Sequence, residues 1–285
     1  MIEKFRICII VPNGYQHSQC FMEVAFLLKH SLNSLGIQCD LSVNDFSRDR
    51  INIIMGWHLL SGINNPASYK YIPYQLEQLS DSTWKTFSAE SKTILEHAFY
   101  VWDYSAENIS FLSAQGIHAD YLPIGYHEGL ELINSDIDKD IDVLFYGSLG
   151  ERRKHIIDSL TTNSKLKVQA LFGIYGKKRD EYIGRSKIIL NVHFYPSKIF
   201  EAVRISYLLN NRCCVVSEES PLYPYNGVDI PMYKYENIVD ECRMLLNNKE
   251  KMGKLRNSSY LEFKQKYPMT QFLKHSLEQS GLSVN

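Results

Sequence analysis

The chain has 285 residues, which corresponds to about two domains of ordinary size, and no block of like charge suggests an arm that binds nucleic acid. No apolar run approaches the length of a transmembrane helix, and the N-terminus leads directly into a predicted strand. These features favour a cytoplasmic protein with no nucleic-acid partner and at most a peripheral association with membranes.

The first half of the chain alternates between apolar runs and helical patterns. Strands are predicted at residues 5–11, 37–44, 51–55, 70–74, 99–102 and 119–122, and helices at 21–35, 83–96 and 105–114. Such alternation is typical of an α/β domain with a doubly wound parallel sheet. We therefore expect an N-terminal Rossmann-like domain over residues 1–130.

Residues 128–140 lose this periodicity and become acidic, which indicates a linker, and the alternation then restarts. Strands are predicted at 141–146, 168–172, 188–190, 213–216 and 230–233, and helices at 151–160, 177–185, 198–209, 236–247, 249–266 and after Pro268. This pattern predicts a second Rossmann-like domain over residues 131–285.

Charge differs between the halves. Through Glu131 there are 8 Lys and Arg against 14 Asp and Glu, a balance of −6, and from Leu132 onward there are 23 against 18, a balance of +5. An anionic ligand is therefore expected in the second half. The six cysteines show no metal-ligand spacing, and paired carboxylates are confined to 136–142 of the linker, so neither a metal nor a bound cofactor is predicted.

Three polar residues follow predicted strands of the first half, where side chains reach the carboxyl edge of a parallel sheet. His17 is a candidate general base, with a solvated loop histidine as the alternative. Glu77 and Asp103 are candidates for the base or for binding acceptor hydroxyls, or else are cap and turn residues. Three aromatic side chains suit stacking on sugars or burial in the core: Trp57, Trp102 and Tyr104.

A small-residue loop, Gly147-Ser148-Leu149-Gly150, joins a predicted strand to a helix in the second half. Its backbone amides can approach a phosphate, and Arg152 or Arg153 can add charged hydrogen bonds to a diphosphate. Ordinary turn chemistry is the alternative. The departure from Gly-x-Gly-x-x-Gly argues against a dinucleotide dehydrogenase.

The stretch from Lys187 to Glu218 reads as strand, turn, helix and strand, a βαβ unit of a parallel sheet. It is expected to present three groups at one edge: His193 and Tyr195 after the first strand, Lys198 and Glu201 in the first turns of the helix, and Glu218 with Glu219 after the second strand. A helix N-terminus suits a pyrophosphate, and a nearby carboxylate suits a ribose. The alternative is that Glu201 and Arg204 form a pair on the helix surface.

The same stretch resembles the sugar-nucleotide glycosyltransferases of the GT-B fold, in which two Rossmann-like domains face a cleft. Many retaining members have two Glu eight positions apart before an Ala and a later PVVS. Glu201-Ala202 matches the second Glu, and the residues 214–217 (CVVS) resemble the strand. His193 replaces the first Glu and is therefore a candidate catalytic residue. The segments NVHFYPSKIFEAVRISYLL, QLEQL and VWDYSAENISFL resemble bacterial and viral glycosyltransferases of group 1 and CgeB-like sequences.

The resemblance implies that Glu201 holds the ribose of the donor. Gly147, Arg152 or Arg153, Tyr175 and Lys198 would then surround the diphosphate. The replacement by His193 leaves inversion or retention of stereochemistry open.

The sequence thus predicts a metal-independent glycosyltransferase that moves a sugar from a nucleotide-sugar to a hydroxyl of a carbohydrate or glycoconjugate, as in polysaccharide biosynthesis. The acceptor is expected to bind mainly to the N-terminal half. Two alternatives remain: a sugar-nucleotide epimerase on the same architecture, and a non-catalytic scaffold that binds nucleotide-sugars.

Overall fold

The computed structural model describes residues 3–60, 68–79, 87–134, 137–162 and 165–282. The chain forms two compact units, Met1–Gly129 with Pro268–Asn285, and Leu130–Tyr267. Each unit has a parallel sheet with helices, so the predicted α/β class is confirmed. Over the ranges given, no helix is both long and apolar enough to cross a bilayer.

The first unit alternates strands and helices as predicted. Its elements up to the linker are β1 (Phe5–Ile9), α1 (Met22–Ser34), β2 (Cys39–Val43), β3 (Ile51–Met55), β4 (Lys70–Gln75), α2 (Ala89–Glu96), β5 (Trp102–Asp103), α3 (Ala106–Ala114) and β6 (Asp120–Tyr121), with 3-10 helices at Gln16–Phe21, Trp57–Leu59 and Glu128–Leu130. The predicted helix at 83–96 begins outside the described residues. Every residue of β3 is buried, as expected of a central parallel strand that is covered on both faces.

The sheet of the first unit has the order β2-β1-β3-β4-β5-β6, and all neighbouring strands are parallel. The chain leaves β1 to one side, forms β2, and returns to form β3 on the other side. The carboxyl ends of β1 and β3 therefore flank a topological switch point, which is where ligands bind in open α/β sheets.

The second unit repeats this plan. It contains β7 (Ile141–Tyr146), α4 (Glu151–Thr161), β8 (Val168–Leu171), α5 (Gly176–Gly184), β9 (Ser186–Asn191), α6 (Ala202–Asn210), β10 (Val215–Glu218), β11 (Met232–Tyr233), α7 (Ile238–Leu246) and α8 (Lys249–Lys266). Its sheet has the order β11-β10-β9-β7-β8, again parallel throughout. The switch point lies between β7 and β9.

Helix α6 begins at Ala202, four residues later than predicted. The chain instead makes a turn in which the Lys198 N–H donates to the carbonyl of Tyr195 at 3.2 Å, with Lys198 in the left-handed region at φ +51°. Ile199 is buried outside the helix, so its helical spacing from Ala202 misled the prediction. Glu201 becomes the N-cap residue rather than part of the first turns.

The last helix, α9 (Met269–Gln279), corrects the predicted domain boundary. It packs against α1 of the first unit, and the Met269 N–H donates to the carbonyl of Tyr126 at 2.9 Å. Met269, Leu273 and Leu277 are fully buried, which accounts for this placement. Residues 131–285 are therefore not one compact unit, although the division near residue 130 agrees with the predicted linker.

Candidate functional site

The switch point of the second unit is built from two loops. One follows β7 and contains Gly147 to Gly150, and the other follows β9 and runs from Val192 to Glu201. Because β7 and β9 are neighbouring parallel strands, both loops leave the same edge of the sheet. Most of the predicted donor-binding residues lie on these loops and on the start of α4.

Arg153 joins the two loops from within the protein. Its guanidinium donates to the carbonyl of Val192 at 2.7 Å, to the carbonyl of Ser148 at 3.0 Å, and to Glu201 Oε1 at 2.8 Å. Burial lowers the pKa of Arg153 to about 10, so the side chain stays charged at neutral pH. Each of the three guanidinium nitrogens thus has a partner, and Arg153 holds the two loops of the site together.

Glu201 is placed to use its second carboxylate oxygen. Oε1 accepts from Arg153, whereas Oε2 is buried, has no hydrogen-bond partner in the described part of the chain, and lies 3.7 Å from Arg204. An ionised carboxylate oxygen accepts strong hydrogen bonds from hydroxyl groups. Oε2 therefore has acceptor capacity left for a ribose hydroxyl, although the atom is closed to solvent in this structure, and the ribose-binding role of Glu201 remains a prediction.

Beside Glu201, sequence reasoning missed Asn191 and considered Arg204 only as a partner in a surface pair. Arg204 donates to Asn191 Oδ1 at 2.8 Å, and Asn191, at the end of β9, donates to Ser217 Oγ at 3.0 Å. Arg204 is therefore part of this edge rather than of an outer helix surface. The available signal was an Asn that ends an apolar strand, together with an Arg three residues after Glu201.

Gly147 has φ +130° and a side chain there would meet Arg204. A Cβ added to Gly147 would lie 2.7 Å from a guanidinium nitrogen of Arg204. Gly147→Ala is expected to displace Arg204 and to weaken binding of UDP or GDP at least tenfold. Its strained backbone should also lower the free energy of unfolding by about 1–3 kcal/mol. Gly116→Ala is the matched control, because Gly116 has φ +78° and open space around it. Calorimetric titration measures the affinity for UDP or GDP. Equal affinity in the two variants would contradict the expected displacement of Arg204.

Glu218 lies at the edge predicted for it, but within the strand and not after it. Strand β10 ends at Glu218 instead of at Val216, so the side chain is fully buried rather than free after the strand. Its Oε1 lies 2.5 Å from Arg152 and 3.0 Å from Lys198. Burial alone would raise the pKa of Glu218, but hydrogen bonds from Lys198 and Arg152 bring it below its ordinary value.

His193, the predicted counterpart of the first Glu, is fully buried. Its backbone N–H donates to Glu218 Oε2 at 3.1 Å, and its Nε2 lies 3.1 Å from Ser220 Oγ. Nδ1 is also buried and has no hydrogen-bond partner among the described residues. The imidazole ring of His193 is therefore not accessible to solvent in this structure, and the backbone N–H of His193 helps to hold Glu218.

The two predicted tyrosines lie on the same edge of the sheet. Tyr195 follows β9, is half-buried, and packs edge-on against Phe194 with ring centroids 5.0 Å apart. Tyr175 is half-buried at the N-cap of α5, after the outer strand β8. Their contact with a donor stays a prediction.

In the first unit, Glu77 has the features of a proton acceptor. Its backbone is fixed, because its carbonyl accepts from Gln75 Nε2 at 3.0 Å and from Asn108 Nδ2 at 2.7 Å. Its half-buried carboxylate makes no hydrogen bond to residues that the structure describes, and burial raises its pKa to about 7. A carboxylate with a pKa near the working pH suits general-base catalysis.

His17 lies in the 3-10 helix that follows β1, half-buried, with its ring 5.3 Å from that of Tyr15 in an edge-on arrangement. Burial, and then the charge of Glu77, raise the pKa of the Cys20 thiol in the same 3-10 helix. Glu77 therefore lies near this helix. The first unit brings its three predicted catalytic residues to the same sheet edge, since Asp103 ends β5 and shares the donor Asn108 with the Glu77 carbonyl.

Asp103, the third, lies within β5 and is fully buried. Its Oδ1 accepts from the Ser105 N–H at 2.8 Å and from Asn108 Nδ2 at 3.2 Å. Burial raises the pKa of Asp103 well above its ordinary value, and the hydrogen bonds from Ser105 and Asn108 oppose this shift. These contacts favour the cap and turn interpretation of Asp103.

Asp103→Asn is expected to keep turnover within a few-fold of wild type, because an amide oxygen can accept the same two hydrogen bonds. Asp103→Ala removes that acceptor and is expected to lower the free energy of unfolding by about 1–3 kcal/mol. Chemical denaturation and transfer kinetics measure the two effects. A loss of turnover beyond a hundredfold in a folded Asp103→Asn protein would restore Asp103 as a catalytic candidate.

The aromatic candidates are core residues. Trp57 and Trp102 are fully buried and Tyr104 is nearly so, and the Trp57 indole donates to Gln75 Oε1 at 3.1 Å. Of the two interpretations of these rings, burial in the core is the correct one. Within the described ranges, no group of three His, Cys, Asp or Glu side chains is arranged to hold a metal ion.

Solved structures resemble this chain over nearly its whole length. T4 phage β-glucosyltransferase, solved with UDP and Mn²⁺, matches with a TM-score of 0.60 and 11% identity over 98% of this chain and 99% of its own. An α1,3-fucosyltransferase with GDP-fucose matches with a TM-score of 0.52 and 13% identity over 98% and 91%. The chain has the GT-B fold.

Staphylococcus aureus TarM, solved with UDP, matches with a TM-score of 0.60 and 11% identity over 82% of this chain and 56% of its own. At identities of 11–13% these matches establish the fold alone. The resemblance predicted from the sequence is confirmed at this level. The activities of these GT-B proteins are properties of those proteins and are not transferred to this chain by the match in fold.

No protein-family model matches the sequence. Three uncharacterised proteins of Acanthamoeba polyphaga mimivirus are similar to it: 26% identical over 170 residues (56% of this chain and 23% of the relative), 27% over 184 (62% and 63%) and 27% over 168 (55% and 54%). The chain thus spans less than two thirds of the length of each of these relatives.

Proposed function

We propose that this GT-B protein is a glycosyltransferase that moves a sugar from a nucleotide-sugar to a hydroxyl of an acceptor. The observation that supports it best is the switch point of the second unit. There Glu201 offers a buried carboxylate oxygen, and Arg152, Lys198 and Arg204 lie around the Gly147 loop. A carboxylate for the ribose and cations for the diphosphate are the two contacts that a nucleotide-sugar needs.

The same cations would assist the reaction. Cleavage of the bond between sugar and diphosphate transfers negative charge to the leaving diphosphate. Cations that are already in place stabilise this charge without reorganisation in the transition state. Arg152 and Lys198 have side chains that are 41% and 39% exposed, so both can reach a ligand.

Glu77 is the proposed general base, which takes the proton from the acceptor hydroxyl. Its pKa of about 7 leaves a large ionised fraction at neutral pH and still gives useful basicity. The placement of His17 at the same edge makes it the second candidate. The acidic balance of −6 through Glu131 disfavours a polyanionic acceptor, so a glycan or glycoconjugate is the proposed acceptor class.

We also propose that transfer needs no metal. The cations at the switch point can neutralise the diphosphate in the way that a divalent ion does in other enzymes. T4 phage β-glucosyltransferase was solved with Mn²⁺ as well as UDP, so the proposal needs a direct test. The test compares the rate of transfer in EDTA with the rate in added Mn²⁺, and equal rates are expected.

The decisive experiment incubates the protein with UDP-glucose, UDP-GlcNAc or GDP-fucose, with a panel of oligosaccharides and with duplex DNA, and follows nucleotide release and glycosylated product. Transfer to an oligosaccharide supports the proposal. Conversion of the sugar without any acceptor would indicate the epimerase instead. Nucleotide binding without transfer or hydrolysis would indicate the scaffold, and modified DNA would replace the proposed acceptor class.

A further inference from the structure

The carboxylate of Glu218 is the most deeply buried charge at the proposed donor edge. Its side chain has 0% exposure, and three donors converge on it. Arg152 and Lys198 both lie against Oε1, at 2.5 and 3.0 Å, and the His193 N–H donates to Oε2 at 3.1 Å. A buried carboxylate is tolerated only when it is paired in this way.

The two cations differ from Glu218 in their exposure. Their side chains are about two fifths exposed, which leaves the outer side of each charge open to solvent. Lys198 reaches Glu218 from a backbone with φ +51°, a conformation that a residue with a side chain adopts at a cost. The guanidinium of Arg152 is further held over the ring of Tyr235, at 4.2 Å from its centroid.

We propose that Glu218 is a positioning residue that gathers Arg152 and Lys198 at the carboxyl edge so that both meet the diphosphate of the donor. This inference rests on the proposed function. Two cations near one oxygen repel each other, and without an anion beneath them they would separate into solvent. One buried negative charge holds both and leaves a net charge of +1 for the ligand.

The arrangement predicts a specific kinetic signature for Glu218→Gln. The variant gains one unit of positive charge, which favours a diphosphate, but loses the anion that orders the two cations. We expect kcat for transfer to fall at least tenfold, whereas KM for the donor changes less than threefold. Glu236→Gln, an exposed glutamate of the same unit, is the matched control and is expected to behave as wild type.

A double-mutant cycle separates positioning from a merely structural role. Lys198→Met removes one of the two cations from an exposed site. If Glu218 acts through Lys198, the fall in kcat caused by Glu218→Gln will be several-fold smaller in the Lys198→Met background. If Glu218 serves only stability, Glu218→Gln will lower the melting temperature and leave kcat at the wild-type value in both backgrounds, which overturns the inference.

Calorimetric titration of UDP and GDP accompanies the kinetics, and Glu218→Asp is the second variant in case Glu218→Gln does not fold. Partial recovery of kcat by Glu218→Asp supports the inference. Wild-type binding of UDP or GDP, together with wild-type kcat in a folded Glu218→Gln or Glu218→Asp protein, would overturn it and leave the proposed function intact. No binding of UDP, GDP, CMP or dTDP by the wild type would overturn both.

Discussion

Glu77→Gln is expected to lower kcat for transfer by about 10²–10⁴-fold, because the amide cannot take the proton of the acceptor hydroxyl. Affinity for UDP or GDP is expected to remain that of the wild type, since Glu77 belongs to the first unit and the proposed donor site to the second. Steady-state kinetics and nucleotide titration measure the two effects. Glu90→Gln, an exposed glutamate of the same unit, is the control.

The pH dependence provides a second test of Glu77. A general base must be ionised, so wild-type kcat/KM is expected to rise as pH increases through about 7, the raised pKa of Glu77. In Glu77→Gln this rise should disappear. An unchanged profile with a near wild-type kcat would contradict the assignment and direct attention to His17.

Glu201→Ala is expected to weaken binding of UDP or GDP by about 10–100-fold, the loss that follows removal of a charged hydrogen-bond acceptor. It should also destabilise the protein, because Arg153 then keeps its buried charge without a carboxylate. Removing one partner of a buried ion pair typically lowers the free energy of unfolding by about 3–5 kcal/mol. We expect a value at the lower end, because Arg153 keeps its hydrogen bonds to the carbonyls of Val192 and Ser148.

Two further variants make the Glu201 prediction specific. Glu201→Gln keeps an oxygen for Arg153 and isolates the effect of charge. Glu181→Ala, on the exposed face of α5, is the matched control for truncation. A folded Glu201→Ala protein with wild-type nucleotide affinity would remove Glu201 from the donor site.

Sequence patterns predicted the strands better than the turns. β3 and β7 have the predicted limits, because each is a mostly apolar run with a charged residue before it and a glycine after it. α6 was extended by four residues because Ile199 is buried without being helical. Such a residue gives the same apolar spacing as a helix, so only the three-dimensional packing distinguishes the two.

The site was predictable in location and less so in its contacts. Parallel strands place the Gly147 loop and Glu201 at one edge, which follows from strand order alone. The contacts of Arg153 with Ser148 and of Arg204 with Asn191 depend on side-chain directions, which strand order does not determine. The packing of α9 on the first unit depends on contacts between residues far apart in sequence, which no local pattern encodes.

A thermal-shift panel of UDP, GDP, CMP, dTDP and their sugars tests most directly whether the second unit binds a nucleotide-sugar, as we propose. A ligand at 100 times its dissociation constant adds about 2.7 kcal/mol of stability, which is enough for a shift of several degrees. We predict that one nucleotide family stabilises the wild type with or without EDTA and that Glu201→Ala loses this response. The absence of any shift across the panel would contradict the account and leave only the GT-B fold.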